Sequence, residues 1–150
     1  MKESTMKIAG DKLVEDFLGE CKMVEATFKE FNFAKGAEIN ADEIGKFFEK
    51  TLTDAEWKPV LQAAVKTCKT KVDAKSAELI KKMEAAPFNI KKDQCNVKFD
   101  SFIACLKVES FGNCPKPKWT ENAACASGKS WVAECGKDID SIREMYTKKA

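Results

Sequence analysis

The chain has 150 residues, of which 26 are basic and 24 acidic for a net charge of +2, and it contains no histidine. Charges so evenly interspersed give no basic face for a nucleic acid, and no stretch approaches the ~18 apolar residues that a membrane span requires. The missing histidine removes the commonest general base, the commonest zinc ligand and the side chain that titrates nearest neutrality.

One domain is expected at this length. Leu, Ile, Val and Phe together make only 32 of the 150 residues, close to the composition at which chains cease to pack. Seven cysteines offer the compensation, since a bridge closing a long loop contributes roughly 2–4 kcal/mol. Five of them, Cys95, Cys105, Cys114, Cys125 and Cys135, stand with eight to ten residues between neighbours. Zinc ligands come in closer pairs, so this even spacing reads as disulfide staples in an oxidising compartment. Residues 1–20 show no apolar signal core, and the chain reads as a mature secreted form with Met1 as an expression start.

Taken in order, residues 1–10 are expected to fray. Asp11 caps a helix to about Asn32 whose stripe is Val14, Phe17, Leu18, Cys21, Val24, Phe28 and Phe31. A loop broken at Gly36 comes next. Asn40, with Glu43 three residues on, then caps a short helix through Phe47, Phe48 and Leu52. Thr53 or Asp54 caps a longer one with Trp57, Val60, Leu61, Ala64, Val65 and Cys68 on one face. A separate helix covers Ala74–Ala85, with Leu79, Ile80 and Met83 inward, and Pro87 stops it. Residues 88–94 connect to a helix over Val97–Val108, carrying Phe99, Phe102, Ile103, Cys105 and Leu106 and ended by Gly112 and Pro115. Pro115 to Gly128 reads as irregular, and a last helix from about Ser130 carries Trp131, Cys135, Ile139, Ile142 and Tyr146. No strand-like alternation is present. The fold class is all-α, with six or seven short helices stapled by disulfides around an apolar cavity.

Phe28 to Phe48 superficially matches a calcium-binding helix–loop–helix. With Glu43 as the twelfth loop position, the first, third, fifth and sixth fall on Asn32, Ala34, Gly36 and Ala37. Methyl groups and hydrogens do not coordinate a hard cation, so no metal is assigned.

Small, helical and pinned by cysteines, the chain resembles the insect odorant-binding proteins, in particular their cysteine-rich plus-C branch. Cys105 and Cys114 are separated by eight residues, the interval between that family's fifth and sixth cysteines, and Pro115 comes directly after as in the branch. Asp54 to Cys68 looks like the segment leading to the fourth cysteine, Cys95 like an added one, and Trp119, Cys125 and Cys135 like the branch's C-terminal extension. Cys21 takes the place of the second, while Glu25 stands where the third belongs and no first exists, so both members of one family bridge are missing. The resemblance implies a single domain over 1–150 with 115–150 as an extension, and bridges Cys21–Cys105 and Cys68–Cys114. Cys95 is left to pair with Cys135, which leaves Cys125 unpaired, or with Cys125; the sequence leaves both open.

Bridged helices tolerate an apolar cavity, because two long-loop bridges offset an unfilled volume on the order of 200 Å³. Candidate lining residues are Phe28, Phe31, Phe47, Phe48, Leu61, Val65, Met83, Phe99, Phe102, Ile103 and Leu106; each taken singly also fits a plain core position. Thr27 and Tyr146 could orient a ligand head. The expected function is that of a secreted, non-enzymatic carrier of odorants, pheromones or fatty-acid-like lipids, needing no cofactor. Its partners would be the ligand, a chemosensory receptor and a second copy of the chain. Asp138, Asp140 and Glu144 titrate too low for a mild acid trigger. The competing reading is a secreted interaction or venom-type protein with a solid core. A thiol enzyme would rest on Cys125, which has no histidine to activate it.

Overall fold

A computed structural model describes residues 2–86 and 88–135, with the helix backbone alone at 2–11, 13 and 135. Among these residues the protein is all-α. Its elements are α1 (Lys2–Glu30), β1 (Ala34–Lys35), β2 (Glu38–Ile39), α2 (Ala41–Thr51), α3 (Trp57–Glu84), α4 (Val97–Gly112), a 3₁₀ turn at Lys116–Lys118 and α5 (Ala123–Cys135).

α4 is the axis. Val97, Phe99, Phe102, Cys105, Leu106 and Val108 are all buried, as are Lys98 and Ser101, so the helix has almost no solvent face, as expected for one apolar most of the way round. α3 and α1 pack along it, α5 on its C-terminal part, and β2 near its start, while α2 lies on α3.

Among the described residues the helices are fewer and longer than the sequence predicts. α1 runs through Gly10 and Asp11 instead of starting there, since one interior glycine costs only about 1 kcal/mol. Asp11 is therefore not a cap. The two helices expected between Trp57 and Ala85 are one 28-residue helix. No glycine or proline interrupts it after Pro59. An ion pair of Lys69 with Asp73 and a hydrogen bond from the Thr70 hydroxyl to the Lys66 carbonyl span the expected break. α5 begins at Ala123, not Ser130, because Asn122 Oδ1 accepts from the Cys125 amide at 2.8 Å and caps it. Ile139, Ile142, Tyr146, Asp138, Asp140, Glu144 and Pro87 lie outside the described residues.

Other terminal signals hold. Asn40 Oδ1 accepts from the Glu43 amide at 3.4 Å, although Glu43 turns its carboxylate to Lys46 instead of completing a capping box. Asp54 Oδ1 accepts from the amides of Glu56 and Trp57 at the start of α3. The Lys118 ammonium beside Asp54, with those amides, holds its carboxyl below the ordinary value.

The disulfides differ from those the resemblance implies. Cys21 is bonded to Cys95 and Cys68 to Cys105, with Cα separations of 6.0 and 5.7 Å. Cys105 lies mid-way along α4 where α3 crosses it, so it serves Cys68 and not Cys21. Cys114 stands nine residues further on, beyond the end of α4, and its thiol is unbonded. With Cys95 used by Cys21, neither Cys135 nor Cys125 is its partner; Cys125 is unbonded and half-buried. In the chain-entropy account each bridge closed alone contributes about 4 kcal/mol.

A non-reducing peptide map is expected to join Cys21 to Cys95 and Cys68 to Cys105, with alkylation before reduction labelling Cys114 and Cys125. Replacing Cys68 and Cys105 together by Ala should lower unfolding stability by about 2–4 kcal/mol in urea titration.

Candidate functional site: an aromatic file from surface to core

α1 ends in a turn that sets the direction of the chain into the hairpin. Asn32 adopts the left-handed region at φ +58°. The Phe33 amide reaches back to the Phe28 carbonyl at 2.8 Å, and the Asn32 amide to Lys29 at 3.3 Å. This is the Schellman pattern, in which the residue after the left-handed one meets a side chain from the helix's last turn. Here the ring of Phe33 stands edge-on to Phe28, centroids 5.9 Å apart. The chain then forms a hairpin, Ala34 opposite Ile39 and Lys35 opposite Glu38, turning at Gly36 with φ +63°. The expected loop is thus a minimal β-hairpin. Asn40 closes its neck, donating its amide to Phe33 O at 2.7 Å and Nδ2 to Asn32 O at 3.2 Å, while capping α2.

Rings from α1, the hairpin neck, α2 and α4 meet as a result. Phe28 stacks on Phe99 at 4.8 Å and meets Phe102 edge-on at 6.1 Å. Outward from Phe28, Phe33 contacts Phe31 at 5.5 Å and Phe47 at 5.3 Å, and Phe31 meets Phe47 at 5.7 Å. Phe48 lies beside Phe47 at 6.0 Å. Exposure rises along the file from 0% at Phe102 to 50% at Phe31. Each such pair contributes about 0.5–1.5 kcal/mol beyond area burial.

Six of the eleven candidate lining residues, Phe28, Phe31, Phe47, Phe48, Phe99 and Phe102, belong to this file. Val65, Met83 and Leu106 are buried in the core on α3 and α4, Ile103 is half-buried against it, and Leu61 is half-buried on α3. Thr27 is an exposed helix residue whose hydroxyl donates to Met23 O, and Tyr146 lies outside the described residues. Phe33 was not among the candidates. A phenylalanine directly after an asparagine at a helix end is the signal that could have marked it.

Phe28, Phe99 and Phe102 are exposed by only 2%, 1% and 0%. A ring lining a void large enough for water would show surface to it, so these three pack against their neighbours. An open groove of about 440 Å³ between α2 and α3 is edged by Asp42, Lys46, Glu49 and Lys66, groups an apolar molecule could cover only at a desolvation cost. Another, of about 510 Å³, runs beside Pro59, Ala63 and Asn113. Neither is lined by rings. Among the described residues no cluster of metal-ligating side chains is assembled.

Polar ties frame the file. The Asn96 amide donates to Glu25 Oε2 at 2.9 Å, its Nδ2 to Ala37 O at 3.0 Å, and its Oδ1 accepts from the Lys98 amide at 3.1 Å. Lys98 Nζ reaches Glu38 at 2.7 Å and Asp73 at 3.6 Å. Partial burial pushes the Glu25 carboxyl upward, but hydrogen bonds from Lys29 and the Asn96 amide, with the Lys29 charge, outweigh it and hold the group below the ordinary 4.5.

An all-α chain pinned by two disulfides is consistent with the fold of the odorant-binding proteins. A family model described as AgamOBP47-like matches residues 7–131, most of the chain, and the protein belongs to that family, one of small-ligand carriers. No curated protein and no solved structure matches it.

Phe28→Ala should cost about 3–5 kcal/mol of stability, whereas Phe31→Ala, at a half-exposed ring, should stay within about 1 kcal/mol. A depressed folded pKa contributes stability that is present above the unfolded value and lost as pH falls through the folded one. Urea midpoints should therefore show no contribution from Glu25 to pH dependence between about 5 and 7, and a fall below about 4.5 that Glu25→Gln flattens.

Proposed function

We propose that the protein is a secreted carrier that takes up small apolar molecules, such as odorants, pheromones or fatty-acid-like lipids, within the aromatic file. The observation that carries this reading is the unbroken succession of rings from half-exposed Phe31 and Phe33 to buried Phe99 and Phe102. The family to which the chain belongs supports it. A ligand enters by replacing ring–ring contacts with ring–ligand contacts. The rings lose little in that exchange, and the driving force is the ligand's own transfer out of water. Leu61, Val65, Met83, Ile103 and Leu106 would form the deeper wall once the rings part. No reaction is assigned, and no cofactor is needed.

The 115–150 segment is read as an extension of one domain over 1–150, a plus-C-like elaboration of the family pattern. Secretion accords with two bridges that need an oxidising compartment. A chemosensory receptor and a second copy of the chain, joined through the half-buried Cys125 thiol, complete the partners of this reading.

The near-zero exposure of Phe28, Phe99 and Phe102 favours a second reading, a secreted interaction protein with a solid core. Displacement of a fluorescent apolar probe separates the two. Saturable uptake at micromolar levels is expected of the carrier, and none of a solid core. Phe33→Ala should change probe affinity at least about fivefold, while Phe111→Ala, a ring outside the file, should not. With no histidine in the chain, affinity should vary little between pH 5 and 7; a loss of about tenfold across that window would refute the uptake mechanism.

A further inference from the structure

The hairpin is too short to hold itself in place. Its ladder has two residues on each strand, and even longer isolated hairpins are marginal in water. What keeps it down comes from neighbouring elements. Phe33 rests on Phe28, and Ile39 is buried at 3% exposure. From the start of α4, Asn96 Nδ2 holds Ala37 O and Lys98 Nζ holds Glu38.

Lys98 is the unexpected member of this set. Its side chain is 8% exposed, on the most buried helix of the protein, yet its nearer partner Glu38 has a side chain 61% exposed. A buried ammonium left without a partner is strongly unfavourable. An aliphatic side chain could have covered this part of α4 without asking anything of the hairpin. The lysine makes the spot polar and ties its satisfaction to the position of the hairpin. Asp73 on α3, whose Oδ2 is paired with Lys69, presents its other oxygen 3.6 Å from the same Nζ and is a second carboxylate that does not travel with the hairpin. The ammonium can therefore give up Glu38 without becoming an uncompensated charge.

We propose that residues 33–39 are a lid over the aromatic file and that Lys98 is its latch, exchanging Glu38 for Asp73 when the lid lifts. The hinges are Asn32, already in the left-handed region, and Asn40, whose bonds to Phe33 and Asn32 keep the two feet of the hairpin joined. Lifting withdraws Phe33 and Ile39, gives up the hydrogen bond from the Phe33 amide to Phe28, and uncovers the rings behind. The floor stays fixed, because Cys95, next to Asn96, is bonded to Cys21 on α1.

The lid's use as a ligand gate rests on the carrier reading; the lid itself does not, and the test keeps the two apart. Amide hydrogen exchange is monitored by mass spectrometry on the oxidised full-length protein and on Glu38→Gln, Lys98→Met and the double variant, without ligand. The expected result is exchange about tenfold faster at residues 34–39 in each single variant, no further gain in the double variant, and unchanged protection in α4. Unchanged exchange in the hairpin overturns the proposal. So does loss of protection in α4 in step with the hairpin, which would make the pair a plain structural contact, or additive effects in the double variant, which would mean that the two side chains act independently. On the same variants, release of a bound apolar probe should quicken by the same factor; no probe uptake by any variant removes the carrier reading while the exchange result decides the lid.

Discussion

The bridge between Cys21 and Cys95 sets the register on which the rest of the structure depends. It fixes α1 at the residue just before Asn96, the cap of α4. One turn beyond Cys21, Glu25 receives the Asn96 amide; a further turn on, Phe28 lies against Phe99. Steps of four and three residues keep one face of a helix turned the same way, so a single covalent tie brings a polar contact and then an aromatic one to the same seam. A slip of one residue along either chain would break both.

The second bridge does for α3 what the first does for α1. Cys68 and Cys105 are both fully buried where α3 and α4 cross. Ion pairs lie around that crossing, Lys98 with Asp73 and Lys71 with Glu109. With α4 held on two sides, the part of it near Phe99 and Phe102 has a fixed wall behind and only the hairpin and the end of α1 in front. The proposed lid therefore lies on the one side of the ring file that no bridge ties down, the side that carries Phe31, Phe33 and Phe47.

The helical class and several helix ends were legible in the sequence because they are local. Asn40 and Asp54 act through amides two or three residues away, and the stripes on α1 and α4 repeat within a few turns. The bridge partners were not legible, because spacing along a chain says nothing about which helices cross. The pattern borrowed from the resemblance assigned Cys105 to α1 when α3 reaches it first. Phe33 was hidden for a related reason. Its place comes from the left-handed backbone at Asn32, a conformation shared by a turn and a helix cap, and a periodicity argument ends where the helix does. The unbroken α3 has the opposite lesson: weak helix formers such as Thr70 and Val72 do not stop a helix whose inward face, here Cys68, Val72 and Leu79, is fully packed.

On the proposed carrier reading, these constraints favour a file built of phenylalanine. Aliphatic side chains packed in that space would interlock with their neighbours, and opening them would leave branched surfaces poorly matched to a guest. Flat rings exchange one partner for another at similar geometry, stacked or edge-on, so an inserted apolar molecule finds contacts like those it displaces. Such a core gives few apolar contacts unique to the closed state, and closure has to be secured by something other than its rings. At the mouth of the file that something is polar and directional: the Asn96 side chain on Ala37, the Asn40 clasp on the hairpin neck, and the ammonium of Lys98 held between Glu38 and Asp73. On the proposed carrier reading, a closed, ring-filled centre and uptake are compatible, because the Lys98 contact that helps hold the rings there has a second partner in Asp73.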